Sequence, residues 1–363
     1  MPAPRVSLPA VCLLLAAAFA PAGGTAAAHA QTVQRGGSIR GVVRSTTGDR
    51  IPYVVVALEP GPSRRFTDDS GSFVFPNLAA GSYRLRARQV GYKPFDTTVV
   101  VSGDSAVDVP VALEHLVIQL EEIRVVARVN KGGRCLAPGP PDPAVEPDAA
   151  AVFEQLRQNA ERYWLLADSY PAMYRMERKF GHPDYYERGM AVSRTDTVEL
   201  RTDARWSYAP GRVLTNVLAP RGGFELQVNL PGLPDFADST FLLNHCFRLA
   251  GVQKVEGTVY VRLDFQAADS IAEPDADGSA LLDPGSYLIR FVRMRLTRPE
   301  RAASDLESLE ATVAFREVVP SLVLPDRISS VQGNYVRRTV VQSLEEQRTV
   351  GFSFLRALPT RRP

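Results

Sequence analysis

Short runs of alternating apolar and polar residues, separated by turn residues, occupy the first third of the chain. In SYRLRARQ (residues 82–89), apolar side chains alternate with Arg84, Arg86 and Arg88. Successive side chains of a strand point to opposite faces, so this pattern indicates a strand with one apolar and one basic face. Similar runs recur at regular spacing, and we predict a seven-stranded β-sandwich over residues 36–128.

The pattern changes to helical spacing after residue 148 and then returns to β. Phe153, Leu156 and Ala160 lie three or four residues apart, and we expect Asp148 to be the N-cap of a helix that reaches about residue 167. Long β-type runs follow to the end of the chain. The fold class we predict is therefore mainly β, with residues 149–363 forming a curved antiparallel sheet, a half-barrel, packed on that one helix.

The N-terminal 30 residues have the pattern of a secretory signal peptide. Arg5 precedes the apolar run VCLLLAAAFA (residues 11–20), and AHA (residues 28–30) fits a cleavage site. The run is shorter than the roughly 20 residues that span a bilayer, although an uncleaved anchor is the alternative. We expect cleavage after residue 30 and a location in the periplasm or at the outer membrane, with no transmembrane segment in the mature chain.

Export also changes the interpretation of the cysteines. Removal of the signal peptide leaves Cys135 and Cys246. Two cysteines in an exported chain indicate one disulfide bond, while two unrelated buried thiols remain the alternative. Cys135 lies in a stretch rich in proline and glycine, residues 129–148, that we interpret as a linker. The bond would pin this linker to the second domain.

The charged and nucleophilic residues give little sign of catalysis. The net charge of +2 points neither to nucleic acid nor to an anionic membrane. The acidic stretch DDSG (residues 68–71) fits the turn of a β-hairpin better than a cation-binding loop, because the further spaced oxygen ligands are missing. His115, His182 and His245 occur in no nucleophile or metal motif. We therefore predict no catalytic residue, no metal site and no cofactor.

Residues 38–114 resemble a known family. The segments IRGVVRSTTGDRIPYVVVALEP, TDDSGSFVFPNLAAGSYRLRARQVGYKP and VDVPVALE follow the pattern of the carboxypeptidase regulatory-like domain. This resemblance implies a transthyretin-like β-sandwich, common in exported bacterial proteins, and it implies no activity, because the domain is the accessory part of carboxypeptidases. The sequence has Ile51 before Pro52 where the family usually has proline first.

Two weaker resemblances concern the rest of the chain. LEEIRVVA (residues 120–127) is similar to the stretch that leads into the plug of TonB-dependent transporters, with a last sandwich strand as the alternative. Too few residues follow for a plug and a large transporter barrel. The region around VEGTVYVRLDFQAA (residues 255–268) resembles lipoprotein-carrier half-barrels, which implies a hydrophobic cavity.

These observations predict an exported, non-enzymatic envelope protein that acts as a binding or docking module for a protein or glycan. The alternative is a periplasmic carrier that holds lipid or lipoprotein acyl chains in the half-barrel. The basic face of Arg84, Arg86 and Arg88, called the arginine face below, is either a solvated strand face or a docking surface for an acidic partner.

Overall fold

Two sheets pack face to face in the N-terminal third of the protein. The computed structural model describes residues 36–61, 63–118, 134–184, 186, 189–204, 207–218 and 224–360. The predicted signal peptide and residues 120–127 lie outside these ranges. The first eight strands are β1 (Gly37–Ser45), β2 (Val55–Glu59), β3 (Ser63–Phe66), β4 (Ser72–Leu78), β5 (Gly81–Arg88), β6 (Phe95–Val101), β7 (Ala106–Asp108) and β8 (Val111–Leu113).

The sandwich confirms the prediction of its fold. One sheet has the order β4-β1-β7, with β8 also pairing β1, and the other has the order β3-β2-β5-β6. Alternate residues such as Ile39, Leu58 and Leu85 fill the space between the sheets, because each strand turns one of its two faces inward. Only Val109 and Pro110 separate β7 from β8, so the expected seventh strand is present as two short pieces.

The acidic turn of residues 67–71 differs from the expectation of a hairpin. It joins β3 and β4, which belong to different sheets, so it carries the chain across the sandwich. Asp68 Oδ1 accepts hydrogen bonds from the backbone N–H groups of Ser70 and Ser72. Gly71 has φ of +74°, and a Cβ there would lie 2.8 Å from the carbonyl oxygen of Ile51. The turn chemistry is as predicted, but the two strands it joins are not hydrogen-bonded to each other.

Helix α1 (Pro147–Ser169) begins earlier than expected. Glu146 is its N-cap and makes no side-chain capping bond, Pro147 occupies the first turn, and Asp148 lies inside that turn. The prediction that Asp148 is the N-cap was therefore wrong. Proline is favoured in the first turn because a backbone N–H there would have no partner within the helix. An acidic side chain in that turn interacts favourably with the helix dipole.

The remaining strands form an open nine-stranded antiparallel sheet and a small hairpin. The sheet has the order β10-β9-β19-β18-β17-β16-β15-β14-β13. Its strands are β9 (Ala172–Asp184), β10 (Gly189–Arg201), β13 (His245–Val255), β14 (Thr258–Ala267), β15 (Ala276–Leu282), β16 (Ile289–Leu296), β17 (Leu306–Val319), β18 (Leu322–Val336) and β19 (Thr339–Phe354). The hairpin pairs β11 (Leu214–Leu218) with β12 (Phe224–Val228).

Two 3₁₀ turns and a short helix complete the described elements. The turns are Leu233–Ala237 and Pro299–Arg301, and α2 is Ser239–Leu242. Asp238 caps α2 by accepting hydrogen bonds from the N–H groups of Thr240 and Phe241. None of the helices in the described ranges is long and apolar enough to cross a membrane.

Helix α1 packs on one face of the large curved sheet, as the helical spacing predicts. Val152, Phe153, Leu156 and Ala160 share a single buried cluster with side chains of strands β13 to β18. The ring centroids of Phe153 and Phe247 lie 4.8 Å apart. In the described part of the chain, α1 therefore covers the face on which an acyl-chain carrier would hold its ligand.

The predicted disulfide bond is present between Cys135 and Cys246, whose Cα atoms lie 5.6 Å apart. It fastens the segment after residue 133 to the first residues of the edge strand β13. The contact is reinforced by Asp269, whose carboxylate accepts hydrogen bonds from the N–H of Cys135 and the guanidinium of Arg134. The boundaries of the predicted linker, residues 129–148, remain a prediction.

Candidate functional site

A cleft of about 550 Å³ separates the outer face of the sandwich from helix α1. Strands β2, β3 and β5 form one wall, with Ala57, Glu59, Arg64, Arg86 and Arg88. Helix α1 forms the other wall, with Glu161, Trp164, Leu165 and Asp168. The strand alternation explains the first wall, because the side chains that are not in the sandwich core point towards the helix.

Two residues of the arginine face, Arg86 and Arg88, line this cleft, and Arg84 does not. Arg84 and Arg86 are paired within the sandwich. Arg84 and Arg86 both donate to Asp96 on β6, and these hydrogen bonds lower the pKa of Asp96 to about 2. Arg86 also lies 3.4 Å from Glu59 on β2. The positive charge of this part of the face is therefore compensated by neighbouring strands.

Arg88, the third arginine, contacts helix α1 instead. Its guanidinium lies 3.5 Å from Glu161 and 3.9 Å from Glu154. Both glutamates also pair with Arg157 on the same helix. Burial opposes the charge of Arg157, but the two carboxylates outweigh it and raise its pKa. Arg88 thus joins a network of alternating charge, and an acidic partner of the arginine face is this protein's own helix.

A second, deeper contact fixes the sandwich on the helix. Arg162 is 3% exposed and donates to the side chain of Gln89 and to the carbonyl oxygen of Ser321. Burial lowers the pKa of Arg162 to about 9. The N–H of Gly91 donates to Gln155 on the same helix. The sandwich, α1 and the turn between β17 and β18 therefore share buried polar contacts, which join the sandwich to the helix.

Trp164 brings an aromatic ring into the cleft in a fixed position. Its indole Nε1–H donates to the carbonyl oxygen of Pro234 at 2.9 Å, in the 3₁₀ turn Leu233–Ala237. Ala237 of this turn also lines the cleft. The indole is partly buried, and this bond both satisfies its N–H and fixes the ring orientation.

Arg64 is the cleft arginine that stays open to a ligand. It is exposed on β3, and its side chain forms no ion pair or hydrogen bond with any residue in the described ranges. An arginine guanidinium binds carboxylates and hydroxyl oxygens through its fixed set of donors. The cleft therefore combines a fixed aromatic ring, apolar side chains and an accessible cation.

A separate polar cluster, which the sequence analysis did not predict, lies where strands β13 and β15 begin. His245 and Asp275 are both fully buried, 3.5 Å apart, and Tyr208 and the N–H of Gly211 donate to Asp275. Burial opposes the ionisation of Asp275, but hydrogen bonds from His245, Gly211 and Tyr208 lower its pKa. Because His245 and Asp275 have no solvent exposure, we interpret this cluster as structural.

The other residues considered from the sequence do not form a site in the described ranges. No group of three or more histidine, cysteine, aspartate or glutamate residues there is arranged to hold a metal ion. His115 packs against Tyr92 with ring centroids 4.5 Å apart and the ring planes tilted by 43°. His182 lies on β9 and pairs in register with Ala191 of β10.

A comparison with protein families finds a match within the N-terminal sandwich. The sequence profile of the carboxypeptidase regulatory-like domain matches residues 38–114. Residues 38–114 are therefore similar to this family, as their sequence pattern predicts. The matched segment contains the arginine face and the strand wall of the cleft. No curated protein matches the chain at a significant level.

Three solved structures show partial similarity. A suggested carbohydrate-binding protein from Pseudomonas aeruginosa is 19% identical, covers 23% of this chain and 92% of its own, and has a TM-score of 0.18. A suggested outer-membrane lipoprotein-sorting protein domain from Vibrio parahaemolyticus is 12% identical over 57% of this chain and 94% of its own, with a TM-score of 0.32.

The third is GBS52, the minor pilin of Streptococcus agalactiae, at 18% identity over 23% of this chain, with a TM-score of 0.20. The present chain spans about half of that pilin, 47% of its length. TM-scores as low as these do not establish a shared fold.

Proposed function

We propose that this protein is an exported, non-enzymatic binding module of the cell envelope that holds a saccharide in the cleft between the carboxypeptidase regulatory-like domain and α1. The observation that carries this proposal is the cleft itself, which is lined by the hydrogen-bonded indole of Trp164 and by the exposed side chain of Arg64. Ligand sites typically combine an apolar lining with a few placed polar groups. A sugar offers C–H faces to an aromatic ring and hydroxyl groups to charged rims.

The charges of the cleft favour a polar, hydrogen-bonding ligand over an acyl chain. Glu59, Glu161 and Asp168 face the cleft together with its arginines, so both donors and acceptors are present. The alternative function, an acyl-chain carrier, requires a vacant apolar face on the large sheet. In the described ranges α1 packs on that face, which favours the saccharide-binding function.

A glycan array tests this function directly. We expect purified protein to bind a subset of saccharides, and Arg64→Ser to weaken that binding about tenfold, as for the loss of a hydrogen bond to a charged group. Arg64 is exposed, so this substitution leaves the fold intact. Trp164→Ala should abolish binding.

Arg327→Ser is the matched control, because Arg327 is exposed on β18, outside the cleft lining. It should bind like the unchanged protein. Absence of binding to any saccharide, or equal binding by the Arg64, Trp164 and Arg327 variants, would contradict the proposal.

A further inference from the structure

The turn between β18 and β19 projects beyond its neighbouring strands. Pairing of β17 with β18 reaches Asn334, and pairing of β9 with β19 reaches Leu344. Beyond these points, residues 336–343 form ladder pairs only across the hairpin within the described part of the chain, and Tyr335 donates its backbone N–H to the carbonyl oxygen of Asp305. We call residues 335–341 the hairpin tip. Apart from the backbone bond of Tyr335, the tip is thus a two-stranded end of an otherwise wide sheet.

Four large apolar side chains are exposed on this tip. Tyr335 is 49% exposed, Val336 52%, Val340 41% and Val341 50%. Tyr335 faces Val340 across the hairpin, and Val336 and Val341 lie on the opposite side. Single exposed apolar residues are normal on protein surfaces, but four on both sides of one projecting turn form a patch. Because apolar side chains lie on both faces of the hairpin, their placement favours an apolar environment around the whole tip over a protein partner that covers one face.

The end of the tip is cationic. Arg337 and Arg338 are the two turn residues, with φ of 49° and 72°. Positive φ at both positions defines a type I′ turn, in which Asn-Gly is the favoured pair and side chains such as arginine are strained. Residues 327–344 contain three arginines and no acidic residue. The acidic residues Asp305 and Glu307 lie at the base of the tip, where β17 meets β18.

We propose that the hairpin tip is a membrane-docking element that inserts its apolar side chains into the interface of an anionic lipid bilayer. Exposed valines and a tyrosine suit the boundary between head groups and acyl chains, and the two arginines suit phosphate groups. A flat protein partner would cover one side of the hairpin, whereas lipid contacts both. This element lies outside the cleft and does not depend on the saccharide proposal.

Vesicle co-sedimentation of the purified protein tests this inference. We expect binding to vesicles of phosphatidylcholine with phosphatidylglycerol, much weaker binding to phosphatidylcholine alone, and weakening by added salt. The variant Arg337→Asn with Arg338→Gly removes both charges and installs the favoured turn pair, so it folds at least as well. It should lose an order of magnitude or more in affinity for the anionic vesicles.

Two further variants separate the contribution of the apolar side chains from that of positive charge. Val336→Thr with Val340→Thr keeps β-branched side chains in both strands and should also weaken binding, because the apolar contact is lost. Arg327→Asn with Arg348→Asn is the control, since these residues face each other in the same hairpin away from its tip. This control should bind nearly as well as the unchanged protein.

The inference is overturned if the protein does not bind anionic vesicles, if it binds both kinds of vesicle equally, or if the tip variants bind like the control. In the last case the contact with lipid lies elsewhere on the molecule. Because the saccharide experiment uses different residues and a different ligand, each proposal is able to fail without the other.

Discussion

Asp235 is a buried carboxyl group in the 3₁₀ turn that borders the cleft. It is 6% exposed, and its Oδ2 accepts a hydrogen bond from the N–H of Gly232. Burial raises the pKa of Asp235 from 3.8 to about 7, and nearby Asp238 adds to the effect. The folded protein therefore holds this proton more tightly than the unfolded chain.

This difference predicts the sign of a pH effect on stability. Between about pH 4 and about pH 7 the unfolded chain loses the proton while the folded protein keeps it, so the free energy of unfolding decreases as the pH rises. Asp235→Asn removes this decrease, on the order of 4 kcal/mol at most. Urea unfolding across this pH range measures it. The expectation fails if the difference in unfolding free energy between the variant and the unchanged protein is independent of pH.

At the same scale, the strand pattern predicted which way the three residues of the arginine face point, but not their partners. Arg84 and Arg86 pair with Asp96 on the neighbouring strand β6, and Arg88 pairs with a helix more than 60 residues further along the chain. Alternation is a local property, so it assigns a side chain to a face. The partner depends on which distant element covers that face.

Arg162 is a stronger example of a side chain whose environment the local sequence pattern does not predict. Its place in a helical pattern gives no reason to expect a fully buried guanidinium, because arginine is almost never buried unless it is paired. Its burial depends on Gln89 and Ser321, which come from two other parts of the fold. Such a contact arises only when the sandwich, helix and sheet are assembled.

At the scale of elements, the sequence predicted the type of each secondary-structure element better than the way in which the elements are connected. The sandwich strands, one main helix and the large antiparallel sheet follow from periodicity. The turn at residues 67–71 was misjudged because its aspartate and glycine define a tight turn equally well between strands of one sheet or of two sheets. The start of α1 was misjudged by two residues, since Pro147 and Asp148 both suit a first helical turn.

The disulfide bond is the contact between elements whose removal has the clearest predicted effect on the free energy of unfolding. It closes a loop with a sequence separation of 111 residues. In the chain-entropy model, removing a crosslink over such a loop lowers the free energy of unfolding by on the order of 4 kcal/mol. Cys135→Ser with Cys246→Ser should show this loss in urea unfolding.

Reduction of the unchanged protein provides the control and should reproduce the loss seen in the double variant. An unfolding midpoint that neither the substitution nor reduction shifts would show that the contacts of Asp269 hold the segment without the bond.

At the scale of the whole molecule, the overall composition gives no sign of the two proposed binding features, the hairpin tip and the cleft. The net charge of +2 gives no indication of an anionic partner, yet the hairpin tip concentrates Arg337 and Arg338 among exposed apolar residues. The cleft is equally invisible in the sequence, because its two walls are residues 55–88 and 161–168. Their approach depends on Arg88, Arg162 and Gly91, which join the sandwich to α1.

The central claim is that the cleft beside Trp164 is the binding site, and its most direct test observes the indole of Trp164. The chain has two tryptophans, so Trp206→Phe leaves one indole N–H signal in a ¹⁵N-labelled sample. During titration with the saccharide that binds most strongly on the array, we predict that this signal shifts and saturates with the same affinity. Saccharide binding that leaves the Trp164 signal unchanged would contradict the account.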